Sequence, residues 1–445
     1  MRATWVLGLA LGLSCGKELN PDYCIHHLND PQCQTAGLAN VDAAAGCTSN
    51  ADCMNLTATP VCDTMSATCV ECTSSDPSVC TGQNEVCSHD DQCVGCTSGS
   101  SCESGVCLPD QSCASAGTIL FAMPGGDAGS GNPCTNKAMA CNLTNAVKHA
   151  SPTHNIIQLA GGAAYSEGTI ALGVPGLELI VEPGMPVTIT NAGGDVFDVT
   201  ATASIAQLTI DRAGGNGVKC SDGASLSLDQ MVISNSANNA VSSDGCTLSI
   251  TRSKLIFSKA SGLDASNTTV SVINNFMYGN GGSLLLAAAL NLRNHSTGQV
   301  RFNTIGFNTA ANPFKNPYPA GMSCDPTVGL SDVNVSDNLL SGNQPEDDDD
   351  GLLQCGTEPS GSNWIGSAST VHFVSTTSGT AMDLHLTSST PAGNGNGDGD
   401  GNVKGIRDNP LTDCHDVKLD YDDDVRPQNR SCDYGADEFT QSGSM

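Results

Sequence analysis

Between residues 207 and 343 one short apolar strand recurs at irregular intervals of 21 to 35 residues. It reads Gln207-Leu208-Thr209-Ile210, then Gln230-Met231-Val232-Ile233-Ser234-Asn235, then Lys254-Leu255-Ile256-Phe257-Ser258-Lys259. It continues as Asn275-Phe276-Met277-Tyr278-Gly279-Asn280, Thr304-Ile305-Gly306-Phe307-Asn308 and Leu339-Leu340-Ser341-Gly342-Asn343. A period of this size is the mark of stacked repeats, each of which buries its apolar side only against its neighbours. Two further strands fit into each repeat. One is short, as in Gly217-Val218-Lys219-Cys220, and one alternates, as in Ser225-Leu226-Ser227-Leu228, Thr247-Leu248-Ser249-Ile250 and Thr269-Val270-Ser271-Val272. Alternation with period two puts Leu226, Leu228, Leu248, Ile250, Val270 and Val272 on one face. The expectation is an all-β fold, a right-handed parallel β-helix with three short strands per coil, over residues 118–390. Asn235, Asn280, Asn308 and Asn343 then fall at a sharp bend, where asparagine tolerates left-handed backbone and can bond to the next coil, with Lys259 interrupting that ladder.

Composition shifts near residue 115, and the segment before it is ruled by cysteine. From Cys47 to Cys113 the chain repeats three times, each unit opening Cys-Thr-Ser at 47, 72 and 96 and holding four cysteines. These are Cys47, Cys53, Cys62, Cys69; Cys72, Cys80, Cys87, Cys93; and Cys96, Cys102, Cys107, Cys113. A unit of about 24 residues cannot enclose a core large enough to offset its chain entropy, so covalent staples are required. Two disulfides per unit supply them, in one of three connectivities that spacing does not choose between. The pairs Cys69/Cys72 and Cys93/Cys96 have the spacing of redox or zinc motifs, but both straddle unit boundaries. By proximity alone, Cys24 pairs with Cys33, Cys134 with Cys141, Cys220 with Cys246, Cys324 with Cys355 and Cys414 with Cys432.

The total of 23 cysteines is odd, and Cys15 is left over. It follows a single positive charge at Arg2 and an uncharged apolar run, Trp5 to Leu13, too short for the ~20 residues that span a bilayer. This is the layout of a signal peptide over residues 1–14. Leu11-Gly12-Leu13-Ser14-Cys15 resembles the lipidation signal of bacterial lipoproteins, with Gly12 in place of the usual leucine. The resemblance implies a lipid anchor on Cys15, an N-terminal linker over 15–46, and a place in the outer membrane or on the surface of a Gram-negative cell. The repeats at 47–113 resemble the cysteine-rich spacers that follow the anchor in myxobacterial surface lipoproteins.

The tail, Asp420-Tyr421-Asp422-Asp423-Asp424-Val425-Arg426-Pro427 and Asp433-Tyr434-Gly435-Ala436-Asp437-Glu438, resembles the end of bacterial surface β-helix proteins of the pectin-lyase-like superfamily, choice-of-anchor type. That implies one β-helix domain over 115–440 whose last coils close with an acidic C-terminal cap. The superfamily includes pectin-degrading enzymes, so a polysaccharide lyase or glycoside hydrolase acting on acidic polysaccharide is one reading. Lyases need a base beside a neutralised carboxylate, and hydrolases need paired carboxylates. The nearest material on one coil is Asp211 with Arg212, then Asp229, then Arg252 with Lys254, and none forms a recognisable catalytic motif. The preferred reading is non-catalytic binding to glycans, cations or other surface proteins, because fold kinship alone does not confer activity.

A net charge of -29 disfavours nucleic acid as a partner and favours cations. Asn394-Gly395-Asn396-Gly397-Asp398-Gly399-Asp400-Gly401-Asn402 alternates oxygen donors in a manner that suits calcium, although Arg407 stands where an EF-hand loop needs its bidentate glutamate. A calcium site of another shape would use Asp398 and Asp400 with Asp420, Asp422 or Asp424.

Overall fold

The computed structural model describes residues 46–437 except 97–98, 109–110, 128, 130, 183, 282–288, 311–319, 325–331, 345–352, 355–362, 378–381, 391–405, 407–416, 423, 425 and 427–431. The signal segment, Cys15, Cys24, Cys33, Cys355, Asp398, Asp400 and Cys414 lie outside the described residues. The chain forms two compact units, one ending at Val94 and the other beginning at Gly95.

In the first unit each repeat is a small antiparallel hairpin held by crossed disulfides. Val61–Asp63 pairs with Thr68–Val70, and Val86–Cys87 with Cys93–Val94. The first cysteine of each repeat joins the third and the second joins the fourth, as Cys47–Cys62 with Cys53–Cys69 and Cys72–Cys87 with Cys80–Cys93. The third repeat follows the same rule, Cys96–Cys107 with Cys102–Cys113, but it belongs to the second unit. There Val106 and Ala114 pack against Ile119, Ile156 and Ile180 of the first coils. The cysteines of each Cys-x-x-Cys pair therefore go to different bridges.

The second unit is the parallel β-helix expected from the strand recurrence. Among the described residues its first sheet has nine strands, from Ala164–Ser166 through Thr209–Asp211, Val232–Ser234, Lys254–Ile256, Phe276–Tyr278, Thr304–Gly306 and Leu339–Ser341 to Trp364–Gly366. A second sheet of eight runs from Ile170–Leu172 to Leu353–Gln354, and a third of nine from Ile119–Asp127 to Val333–Ser336. Neighbouring strands within each are parallel and one coil apart, for example Leu226 with Leu248 and Leu248 with Val270. Leu228, Ile250 and Val272 are fully buried between the sheets, as the alternation requires. The disulfides Cys134–Cys141 and Cys220–Cys246 close in this unit. Cys324 and Cys432 are also disulfide-bonded.

Register corrects the expected asparagine ladder. Residues following the first-sheet strands align as Asn235, Phe257, Gly279, Phe307 and Gly342, all with φ between 53° and 67°. Asn235 is thus a corner residue, and the ladder lies one place later, with Ser258 rather than Lys259 in the interrupted position. Asn280 Oδ1 accepts from the Ser258 amide at 3.0 Å, Asn308 Oδ1 from the Asn280 amide at 2.9 Å and Asn343 Oδ1 from the Asn308 amide at 3.1 Å. A second ladder, not anticipated, opens the same strands: Asn275, Asn303, Asn338 and Asn363 bond in series. It follows a corner whose residues Gln207, Gln230, Arg252, Asn274, Phe302 and Asp337 all have positive φ. Both ladders satisfy backbone groups that a two-residue bend strips from the sheets.

Among the described residues the last strand of the coils is Trp364–Gly366. The chain then forms an antiparallel hairpin, Phe373–Ser375 with Asp383–Leu386, and folds back. The resemblance implied a tail that caps the last coils, whereas its described residues lie along the outer face of the first sheet. Ile256, Phe276, Tyr278, Leu339 and Trp364 point outward there and are buried by Leu384, Leu386, Ile406, Tyr434 and Ala436. The tail signature has a packing reason. The Ala436 amide donates to Thr304 Oγ1 at 3.0 Å, and Gly435 has φ +97° with no room for a side chain against Thr304 and Leu339.

Candidate functional site

The third sheet presents its polar side as columns in register. Ser204, Ser227, Ser249 and Ser271 form one, continued by Gln299, and Ser225, Thr247, Thr269 and Thr297 form another beside it. Inward positions of these strands take the leucines and valines, so hydroxyls are what remain to face outward. Ser204, Ser225, Ser227, Thr247, Ser249, Thr269 and Ser271 line an open depression of about 290 Å³ that runs from Gly176 to Ser271 across successive coils. Coils stack at ~4.8 Å, so each column offers a hydroxyl at that repeat. The surface is uncharged along most of its length, with Glu178 at one end. In the sequence its only signal is the Ser-x-Ser and Thr-x-Ser alternation of the strands.

The catalytic candidates lie elsewhere. Asp211 ends a first-sheet strand and Arg212 takes the following corner at φ 54°. They pair with each other, Arg212 Nε donating to Asp211 Oδ2 at 2.7 Å, while Ser234 Oγ and Asn235 Nδ2 donate to Asp211 Oδ1 at 2.9 and 2.7 Å. Burial alone would raise the Asp211 carboxyl, but the bonds from Asn235, Ser234 and Arg212 outweigh it and hold it below the usual carboxylate range. An ionised carboxylate with its oxygens occupied is a weak proton acceptor. With Lys259 and the small residues Ala192, Ala213, Gly214 and Ala237 the pair lines a second open depression. Asp229 and Arg252 are brought together one coil apart, Arg252 Nε and Nη2 donating at 3.0 and 2.5 Å. Lys254 turns away, its ammonium 5.6 Å from the Phe276 ring centroid and 5.0 Å from that of Tyr421.

Of the calcium candidates, Asp420 is fully buried and its Oδ1 accepts the amides of Asp422 and Asp424, both at 2.9 Å. It therefore shapes the turn of the tail. The half-exposed Asp422 carboxylate lies 3.0 Å from His385 Nε2. Asp424 is partly exposed within the same turn.

No protein-family model matches the chain, and no curated protein matches it. Among solved structures it is similar to the crystal structure of pectate lyase Pel9A at 12% identity, with a TM-score of 0.40, over 72% of this chain and 96% of that one. A likeness that distant carries no functional inference. Strand register and cysteine bridges define the protein as a parallel β-helix preceded by disulfide-stapled repeats.

Proposed function

We propose that this protein is an extracytoplasmic scaffold, tethered by a lipid on Cys15, whose β-helix binds glycans without converting them, along the hydroxyl face of the third sheet. The observation that carries the reading is the registered array of Ser204, Ser227, Ser249, Ser271, Ser225, Thr247 and Thr269 over the 290 Å³ depression. A glycan chain presents repeated hydroxyls, and a rigid column of donors and acceptors can meet them with little ordering cost. The disulfides of the repeats and of Cys220–Cys246 support an oxidising compartment.

Retention on immobilised polysaccharides tests the reading. The protein should bind at least one of a panel of neutral and acidic glycans, and the pair Ser227→Arg and Ser249→Arg should abolish retention while leaving the melting temperature unchanged. Absence of binding to every glycan would remove the proposal. A new unsaturated product or reducing end, lost on Asp211→Ala or Arg212→Ala, would replace it with a lyase or hydrolase. Mass analysis of the mature N-terminus tests the anchor, which requires a diacylated Cys15.

A further inference from the structure

The seam between the first sheet and the folded-back segment collects polar groups that packing alone does not require. His385, in strand Asp383–Leu386, places its ring against those of Phe276 and Tyr421, with centroids 4.9 and 5.9 Å apart. Its Nδ1 is hydrogen-bonded to Asp383 Oδ1. Its Nε2 is buried and lies 3.0 Å from Asp422 Oδ2, within ion-pair reach. Asp437, 8% exposed, enters from the tail, with Oδ2 accepting the Leu386 amide at 2.8 Å. One ligand atom from each of His385, Asp422 and Asp437 lies within 4.8 Å of the others.

A carboxylate on one imidazole nitrogen fixes the ring and its tautomer, leaving the other nitrogen's lone pair for a metal. Asp383 holds Nδ1 of His385 in this way, and a metal at Nε2 would displace the proton which that nitrogen carries in the metal-free imidazolium. The two remaining carboxylates face the same point from different parts of the tail. Their crowding has a cost without a cation, since burial, with Asp420 and Asp422 nearby, lifts the Asp437 carboxyl to about 6. Lys254 supplies positive charge toward Asp383 and Asp422 and is the competing group at this seam.

We propose that His385, Asp422 and Asp437 form a site for a divalent first-row transition ion, Zn2+ or Mn2+, with Asp383 positioning the imidazole. One nitrogen and two carboxylate oxygens suit these ions, whereas calcium takes six to eight oxygens. Bonds of about 2.0–2.2 Å to a shared ion would draw these three atoms closer together than the 4.8 Å within which they now lie. Three protein ligands leave a further position for water. The ion would join the hairpin to two points of the tail.

The test uses the whole chain, stripped with a chelator and titrated with ZnCl2, MnCl2 or CaCl2 while heat of binding and melting temperature are followed. One Zn2+ or Mn2+ per chain should bind and raise the melting temperature. His385→Ala should lose both effects. Asp422→Asn, at a half-exposed carboxylate whose change leaves the packing intact, should weaken binding at least tenfold, and it decides the matter alone if His385→Ala fails to fold. The proposal is overturned if neither transition ion binds, if the shift survives both substitutions, or if calcium raises melting equally.

Discussion

The guanidinium of Arg426 lies 4.6 Å from the ring centroid of Phe302, a corner residue of the coil more than a hundred positions earlier in the chain. The same guanidinium donates to the carbonyls of Asp433 and Gly435 at 3.2 and 2.8 Å, so one side chain ties the tail to itself and to the helix.

Arg426→Ala should therefore loosen the tail, at a cost of about 2–4 kcal/mol from the lost ring contact and the stranded carbonyls. Chemical denaturation measures the loss, and limited proteolysis should show earlier cleavage after residue 417. Lysine at this position should recover less than half, because it cannot fork between two carbonyls while stacking on a ring. Unchanged protease resistance in Arg426→Ala would contradict the strap.

Gly435→Ala should cost about 1–3 kcal/mol, since φ is +97° and the added carbon would stand 2.5 Å from Thr304 Oγ1 and 3.0 Å from Leu339 Cβ. Gly223→Ala is the control. Its φ is +77° but nothing lies within 4 Å, so only the backbone penalty of about 1 kcal/mol remains. Equal losses at the two positions would show that the tail does not press on the sheet there.

Asn303→Ala should destabilise the helix by about 2–4 kcal/mol. Its Oδ1 accepts from the Asn275 amide and side chain, and its Nδ2 donates to the carbonyls of Val272 and Arg301 and to Asn338 Oδ1. Asn303→Asp keeps the acceptor and removes the donors, so it should be nearly as damaging. Thermal melts that leave either variant within 0.5 kcal/mol of wild type would count against the ladder, that being the usual range of an inconsequential surface change.

In metal-free protein the seam should lose stability as pH rises. Burial alone would lower the His385 pKa, but Asp422 and Asp383 outweigh it and hold it up to about 9. A base whose folded pKa is raised contributes its full stability below its unfolded value of about 6.5 and loses it as pH climbs through 9. Asp437 acts in the same direction lower down, because its folded pKa of about 6 exceeds the ordinary 3.8, so stability falls from pH 4 to 6. Asp383 and Asp422, both held below the usual range, contribute above 3.8 and lose that contribution as acid protonates them. Melts of wild type and His385→Gln across pH 6.5 to 9 should differ in slope, with the variant flat. Parallel slopes would show that the imidazole carries no stabilising charge.

Leu226, Leu248 and Val270 were assignable to one stacked face because alternation and a coil-length spacing are local properties, and a buried face tolerates no slip of one residue. The paired cysteines of the repeats were likewise visible, since so short a segment has no other source of stability. Asn235 was misassigned by one position, because the bend length is set by how coils of 21 to 37 residues stack rather than by any spacing along the chain. The hydroxyl face was written in the strands but looked like ordinary outward polarity until register aligned its serines into columns. His385, Asp422 and Asp437 could not be associated beforehand, as no period relates them.

By itself the sequence determined that coils would stack and that disulfides would hold the small units, because hydrophobic alternation and chain entropy act over neighbouring residues. Only the tertiary structure decided which disulfide pattern closes, that the tail turns back onto Phe276, Tyr278 and Leu339, and which charged groups meet in that seam. Those outcomes depend on the free energy of burying an outward apolar stripe against a distant segment, a quantity that no local pattern encodes.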